Sequence, residues 1–330
     1  MNQRKNTNPK SVVNLRAYGL AFIGIVMFSI TLPMTRIAVA QMSPVFVSFG
    51  RAAIAGLLAI CVLTYQRAAL PRGSDWGWLL GTIIGVVFGF PLFSSIAMKS
   101  VAAAHGAIIT GLLPLATIIA GAILVGERPS VKFWIWASLG SALVICFALL
   151  RGGGQPVSGD WAMIAAILLG ALGYACGGHL SKKLGGIHTI CWALVFSLPI
   201  NLLVASLTWE QQYLQANLMT WIGLGYVSIF SMFVGFFFWY GGLALGGIAK
   251  IGQVQLIQPF LTVSVAAWIN HEPFEMITVL FALGVILTVA MGRKSLVASD
   301  KTAHLNANNA AHNAVNNAVN KAASKAITKL

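Results

Sequence analysis

Long apolar runs separated by short polar breaks set the rhythm of this chain. A bilayer-spanning helix needs about 20 apolar residues, and ten runs come close to that length. They fall roughly at Ala17–Ala38, Val45–Tyr65, Trp76–Met98, Ala103–Val125, Phe133–Leu150, Trp161–Leu180, Thr189–Leu207, Thr220–Leu243, Ile248–Ile269 and Met276–Met291. Phe133–Leu150, one of the shorter runs, is long enough if it stands upright. Connections between the runs are short, which predicts antiparallel neighbours. The first run is too long for a cleavable signal, and no small-residue cleavage pattern follows it, so it reads as the first spanning helix. The pattern predicts an all-α integral membrane protein with ten transmembrane helices.

Composition agrees. Of the 330 residues, 58% are apolar and 8% are charged, against about 25% charged in a soluble chain. The main partner is therefore a lipid bilayer. A net charge of +14 raises nucleic acid as a partner, but no basic cluster is interleaved with aromatics, and that reading is set aside. The cations instead sort by side. With the N-terminus in the cytoplasm, the inner segments hold most of the Lys and Arg, and the outer loops hold only Lys99 and Arg151. The positive-inside rule then places both termini in the cytoplasm, here of a cell inner membrane. Cys61, Cys146, Cys176 and Cys191 all lie in apolar runs without a Cys-x-x-Cys pair. They read as small buried hydrophobes, and neither a metal nor another cofactor is expected. The segment 300–330 is rich in Asn and Ala with scattered Lys, which predicts a disordered, low-complexity basic tail rather than a surface helix.

A shift of 145 residues lays the chain on itself without a gap. Trp76 meets Trp221, Leu79 meets Leu224, Phe88 and Phe93 meet Phe233 and Phe238, Pro114 meets Pro259, Thr117 meets Thr262, and Glu127 meets Glu272. The expected organisation is an N-terminal segment 1–16, a first five-helix repeat 17–150, a second 159–292 and the tail. Five is odd, so related halves must insert with opposite orientation. Two inverted repeats around a midplane site are a recurrent transporter architecture.

The run Leu124-Val125-Gly126-Glu127-Arg128-Pro129 resembles the Leu-x-Gly-Glu-x-Pro ending of the fourth helix in EamA-type members of the drug/metabolite transporter superfamily. The stretch from His105-Gly106-Ala107 to Pro114-Leu115, and Arg51 in the second helix, are similar to that family's first repeat. The second copy, Asn270-His271-Glu272-Pro273, keeps the Glu and moves the Pro by one. The resemblance covers about residues 17–292. It implies a carrier of small metabolites, a class whose members move amino acids, nucleotide-derived compounds and amphipathic amines. It selects none of these.

Polar groups inside a bilayer are costly unless they face protein or water, so the candidate site is sought among polar stripes at helical spacing. Gln255, Gln258, Pro259 and Thr262 share one face of the ninth helix. Thr110, Pro114 and Thr117 occupy related positions on the fourth. Both faces are candidates for the solute path, with interhelical hydrogen bonding as the alternative. Arg36 and Arg51 lie within helices and no carboxylate lies in a span to pair with them, so an anion is a natural partner. Arg36 is nearer its helix end, where reaching for the interface is the competing role. His105 opens the fourth helix beside Lys99 and joins the candidate site. Ser29, Pro33 and Arg36 share a face of the first helix, where a kink is expected at Pro33. The aromatic run 236–240 is expected to serve in part as an interfacial belt. Gly170, Gly173, Gly177 and Gly178 predict close helix contact in the sixth helix.

The expectation is an alternating-access exporter of small polar or amphipathic metabolites, amino acids or related organic anions and zwitterions, working as a uniporter or exchanger. No acidic side chain sits at mid-depth to carry a proton, but His105 leaves a proton-coupled antiporter open. A receptor or scaffold acting through the tail is a rival of another class. An enzyme is not expected, because no nucleophile–base pair or metal cluster is visible. A homodimer is left open.

Overall fold

In a computed structural model of the chain, the described residues are 9–127, 130–151 and 158–271, with 276, 277, 280, 281, 283, 284, 287, 288 and 291 of the last helix. Arg128, Pro129, Glu272, Pro273 and the tail lie outside them. Among the described residues, seven helices are long and apolar enough to cross a bilayer. They are Leu15–Gln41 (α1), Pro44–Tyr65 (α2), Asp75–Ser100 (α3) and Ala103–Val125 (α4), then, after Val131–Arg151 (α5), Ser158–Leu184 (α6), Gly186–Leu207 (α7) and Leu218–Gly246 (α8). The run 248–269 (α9) is also helical in three joined pieces, and the described positions between 276 and 291 (α10) are helical. The fold is thus all-α and membrane-type.

Local sequence explains where the rods start and turn. Ser43 caps α2, its hydroxyl accepting from the Phe46 N–H at 3.1 Å, with Pro44 in the first turn. Asn217 does the same for α8, accepting from the Thr220 N–H at 2.9 Å. Gly126 closes α4 at φ +73°, and Gly247 makes the tight α8–α9 turn at φ +81°, a region that costs other residues energy. As Pro33 predicts, α1 is interrupted, with a turn at Ile30 between two helical pieces.

The glycines of α6 hold the centre together. A Cβ on Gly85 of α3 would lie 2.4 Å from the Gly173 backbone, and one on Gly177 would strike the Tyr240 ring at 2.2 Å. The Tyr240 hydroxyl donates to the Gly173 carbonyl at 3.0 Å in the space so left. Two sequence expectations change here. Trp239 and Tyr240 are fully buried, so these members of the aromatic run are core rather than interfacial belt, because α8 packs on both α1 and α6. Cys61 and Cys146 are exposed rather than buried; only Cys176 and Cys191 are interior.

Candidate functional site: a buried arginine between the repeats

The helices around the centre depart from regular α geometry at repeat-related places. In α3 a wider π turn occupies Ile83–Gly89, and in α8 another occupies Val227–Val234; the shift of 145 carries one onto the other. In α4 a turn at Gly111 and Leu112 precedes Pro114. In α9 a 3-10 segment, Gln253–Ile257, precedes Pro259. A proline lacks an N–H and clashes with the turn before it, which accounts for both breaks. Irregular turns within spanning helices are common at functional sites.

These departures surround a cavity with about 380 Å³ of empty space, counting what opens outward. Its enclosed part has room for no more than a water or two. Six helices contribute: α1 through Phe28 and Thr31, α2 through Arg51, α3 through Val86 and Phe90, α6 through Tyr174, α8 through Ser231 and Phe236, and α9 through Gln258. Both repeats therefore supply its wall.

Arg51 dominates the chemistry. It is 2% exposed. Its Nη2 donates to the Ser231 hydroxyl at 3.2 Å, and Ser231 shares a 2.8 Å hydrogen bond with Thr31. Its Nε and Nη1 have no partner among the described residues. An unpaired guanidinium removed from water costs several kcal/mol, so the fold retains it against stability. Nη2 carries two hydrogens, one in each of the guanidinium's two forks. Whichever one Ser231 takes, the other fork remains available to a carboxylate or phosphate.

The structure brings Arg51 and Gln258 into one cavity and leaves the other candidates elsewhere. Gln255 lies one turn from Gln258 on the same face of α9, buried, with both amide atoms unpartnered among the described residues. Thr262 continues that face and is buried away from the cavity. Thr110 and Thr117 turn their hydroxyls onto their own helix, to the Ala107 carbonyl at 2.6 Å and the Leu113 carbonyl at 2.8 Å. Arg36 donates to the Val101 carbonyl in the α3–α4 turn. Beside it Lys99 donates to the Val39 carbonyl at 2.9 Å, so both cations are engaged at one end of the bundle. His105 Nε2 lies 2.7 Å from an Asp160 carboxylate oxygen. His105 at the start of α4 thus forms an inter-repeat pair rather than joining the cavity, because α6 starts beside α4.

Sequence reasoning missed Thr31, Ser231, Tyr174 and Gln253, whose buried amide is also unpartnered. No polar match in the other repeat marked Ser231. The repeat shift places it on Val86, and both positions line the cavity.

Glu127, the acidic residue of the α4 motif, spans the two repeats. Its carboxylate accepts from the Ile248 N–H at 3.0 Å and the Ala249 N–H at 2.7 Å, capping the start of α9. Lys182 of α6 stands 3.7 Å from the same carboxylate. At that end of the bundle Lys183 also pairs with Asp75 at 2.8 Å.

Comparison with known proteins places this geometry. The profile of the EamA-like transporter family matches residues 15–150 and again 157–292. The chain is 45% identical over 273 residues to the "uncharacterized transporter YdeK" of Bacillus subtilis (strain 168), covering 83% of this chain and 95% of that one. It is 23% identical over 252 residues to the "uncharacterized transporter YyaM" of the same organism, covering 73% and 80%. A solved crystal structure of a protein 17% identical superposes with a TM-score of 0.68, covering 86% of this chain and 98% of the other. That last likeness speaks to the fold alone.

Proposed function

Because the chain belongs to the EamA-like transporter family, we propose that it exports small organic anions or zwitterions, amino acids or their relatives, across a cell inner membrane by alternating access. One observation carries this reading: a buried, incompletely paired arginine in a cavity walled by both repeats. The solute's negative group supplies the missing hydrogen-bond acceptors. The two repeats then rock about it, inserted with opposite orientation, so that the cavity opens to one side and then the other. In this reading all ten helices span, and both termini lie in the cytoplasm, which the Lys/Arg asymmetry supports. A reporter active only in the cytoplasm, fused to the C-terminus, reads that orientation; an inactive fusion rejects it. Uniport or exchange fits an absence of carboxylates at mid-depth among the described residues.

The test begins with the solute. Comparing extracellular metabolites between a deletion strain and an overexpressing strain identifies it, and counterflow in liposomes then measures transport. Losing a charge-assisted hydrogen bond costs about 1.5–3 kcal/mol, or roughly ten- to hundredfold in affinity. Arg51→Gln should weaken the solute by that factor at equal reconstitution. Arg51→Lys should restore it only in part, since a point charge lacks the fork. Unchanged affinity in a folded Arg51→Gln protein rejects the role.

The His105–Asp160 pair supports a second reading, proton-coupled antiport, because an imidazole and a carboxylate in contact across the repeats can exchange a proton. A proton gradient imposed on liposomes without a solute gradient separates the two. Concentrative uptake abolished in His105→Ala favours coupling; no accumulation favours uniport or exchange.

A further inference from the structure

From the walls of the Arg51 cavity we infer a narrower solute class: monocarboxylates with a flat or branched apolar body and no ammonium group. This inference rests on the proposed role of Arg51 and adds what the rest of the solute must be.

The charge inventory comes first. Among the described residues, Arg51 is the one charged residue lining the cavity. The described acidic groups are held at the ends of the bundle: Asp75 by Lys183, Glu127 by the start of α9, Asp160 by His105, and Glu210 by the Tyr213 hydroxyl at 2.9 Å. Among the described residues, an ammonium group entering the cavity finds no carboxylate to offset its lost hydration, and a second carboxylate finds no second cation. Burying either without a partner is strongly unfavourable. One carboxylate, by contrast, fits the free fork of the guanidinium.

Apart from the hydroxyls of Thr31 and Ser231 and the amide of Gln258, the remaining wall is apolar and aromatic. Phe28 and Phe236 stand 5.0 Å apart between ring centroids at an interplanar angle of 56°. Tyr174 is 6.0 Å from Phe236, and it stacks on Phe28 at 6.4 Å and 15°. Phe90, Leu32 and Val86 continue this surface. Such rings reward the removal of apolar area from water and offer faces and edges to a second ring. A short acid such as acetate would leave that surface unused. The enclosed space is smaller than an arylalkyl acid, so the solute enters when the helices part and the rings close on its body.

A matched series of probes tests this on the purified full-length protein, with binding measured directly at neutral pH. The probes are 3-phenylpropanoate, phenylalanine, phenylsuccinate, 3-phenylpropylamine and propanoate. The first should bind best, by about tenfold or more over each of the others. Arg51→Gln should remove that advantage. Phe236→Leu should weaken 3-phenylpropanoate while leaving propanoate unchanged. If phenylalanine or phenylsuccinate binds as tightly as 3-phenylpropanoate, and Arg51→Gln weakens both, the arginine role stands and the monocarboxylate inference is overturned. Equal affinity for propanoate and 3-phenylpropanoate overturns the apolar-body half. If no probe shows binding that depends on Arg51, both the inference and the anion-binding role fall.

Discussion

Helices α4 and α9 hold equivalent places in the two repeats and break at equivalent points, yet they treat their polar side chains in opposite ways. In α4 the hydroxyls of Thr110 and Thr117 are spent on carbonyls of their own helix. In α9 the amides of Gln253 and Gln255 are buried with all four polar atoms unpartnered among the described residues. The break itself follows from Pro114 and Pro259 and needs no ligand to explain it. Unpaired amides are different. Buried polar groups are nearly always satisfied, and those left unsatisfied lower stability. Shared backbone geometry is therefore the architecture of the fold, whereas the unshared, unsatisfied side chains are the ones left over for the proposed contact with solute or water. The same contrast separates Val86 from Ser231, equivalent positions of which only the second donates or accepts.

Substitutions at three positions test that difference. The largest effect is expected at Glu127, which anchors the start of α9 from the other repeat. Glu127→Ala leaves the Ile248 and Ala249 N–H groups without their acceptor. That should cost about 1.5–3 kcal/mol, visible as a lower thermal midpoint in detergent, with Glu127→Gln losing less. An unchanged midpoint would mean that packing alone seats α9. Next is Gln255→Leu. Replacing an unsatisfied amide by an apolar group should leave stability unchanged or raise it by about 1 kcal/mol, while liposome counterflow slows. Lower stability with full transport would make Gln255 a structural residue like the threonines. The smallest effect belongs to Thr117→Val. A side-chain bond to the i−4 carbonyl contributes little to a helix, so stability should shift by no more than about 0.5 kcal/mol with transport intact. A clear loss of transport here would erase the distinction between α4 and α9.

Much of the fold was readable in the sequence because membrane helices announce themselves by length and apolarity. The repeat was readable because Pro114 and Pro259, and Glu127 and Glu272, are spaced alike. Arg51 stood out for a similar reason, since a cation inside an apolar run needs a partner. What the sequence left hidden depends on which way a side chain points. The stripe on α9 was visible as a stripe, but nothing in the spacing says that Gln258 meets the cavity while Thr262 does not. Thr110 and Thr117 looked equivalent to that stripe because a hydroxyl that bonds its own helix has the same spacing as one that bonds a solute. His105 and Asp160 lie 55 residues apart, in different repeats, and only the packing of α4 against α6 joins them. Ser231 was hidden by the π turn, which shifts the face a residue presents.

The central claim is that one cavity between the repeats serves both sides of the membrane in turn. Ser231 touches Arg51 within it, so Ser231→Cys, in a chain with its four native cysteines replaced, reports access directly. An impermeant thiol reagent applied first to intact cells and then to inverted vesicles should label this cysteine from both faces, and the solute identified by metabolite comparison should slow the labelling from each. Labelling from one face only, or labelling from both that the solute leaves unchanged, would contradict the account.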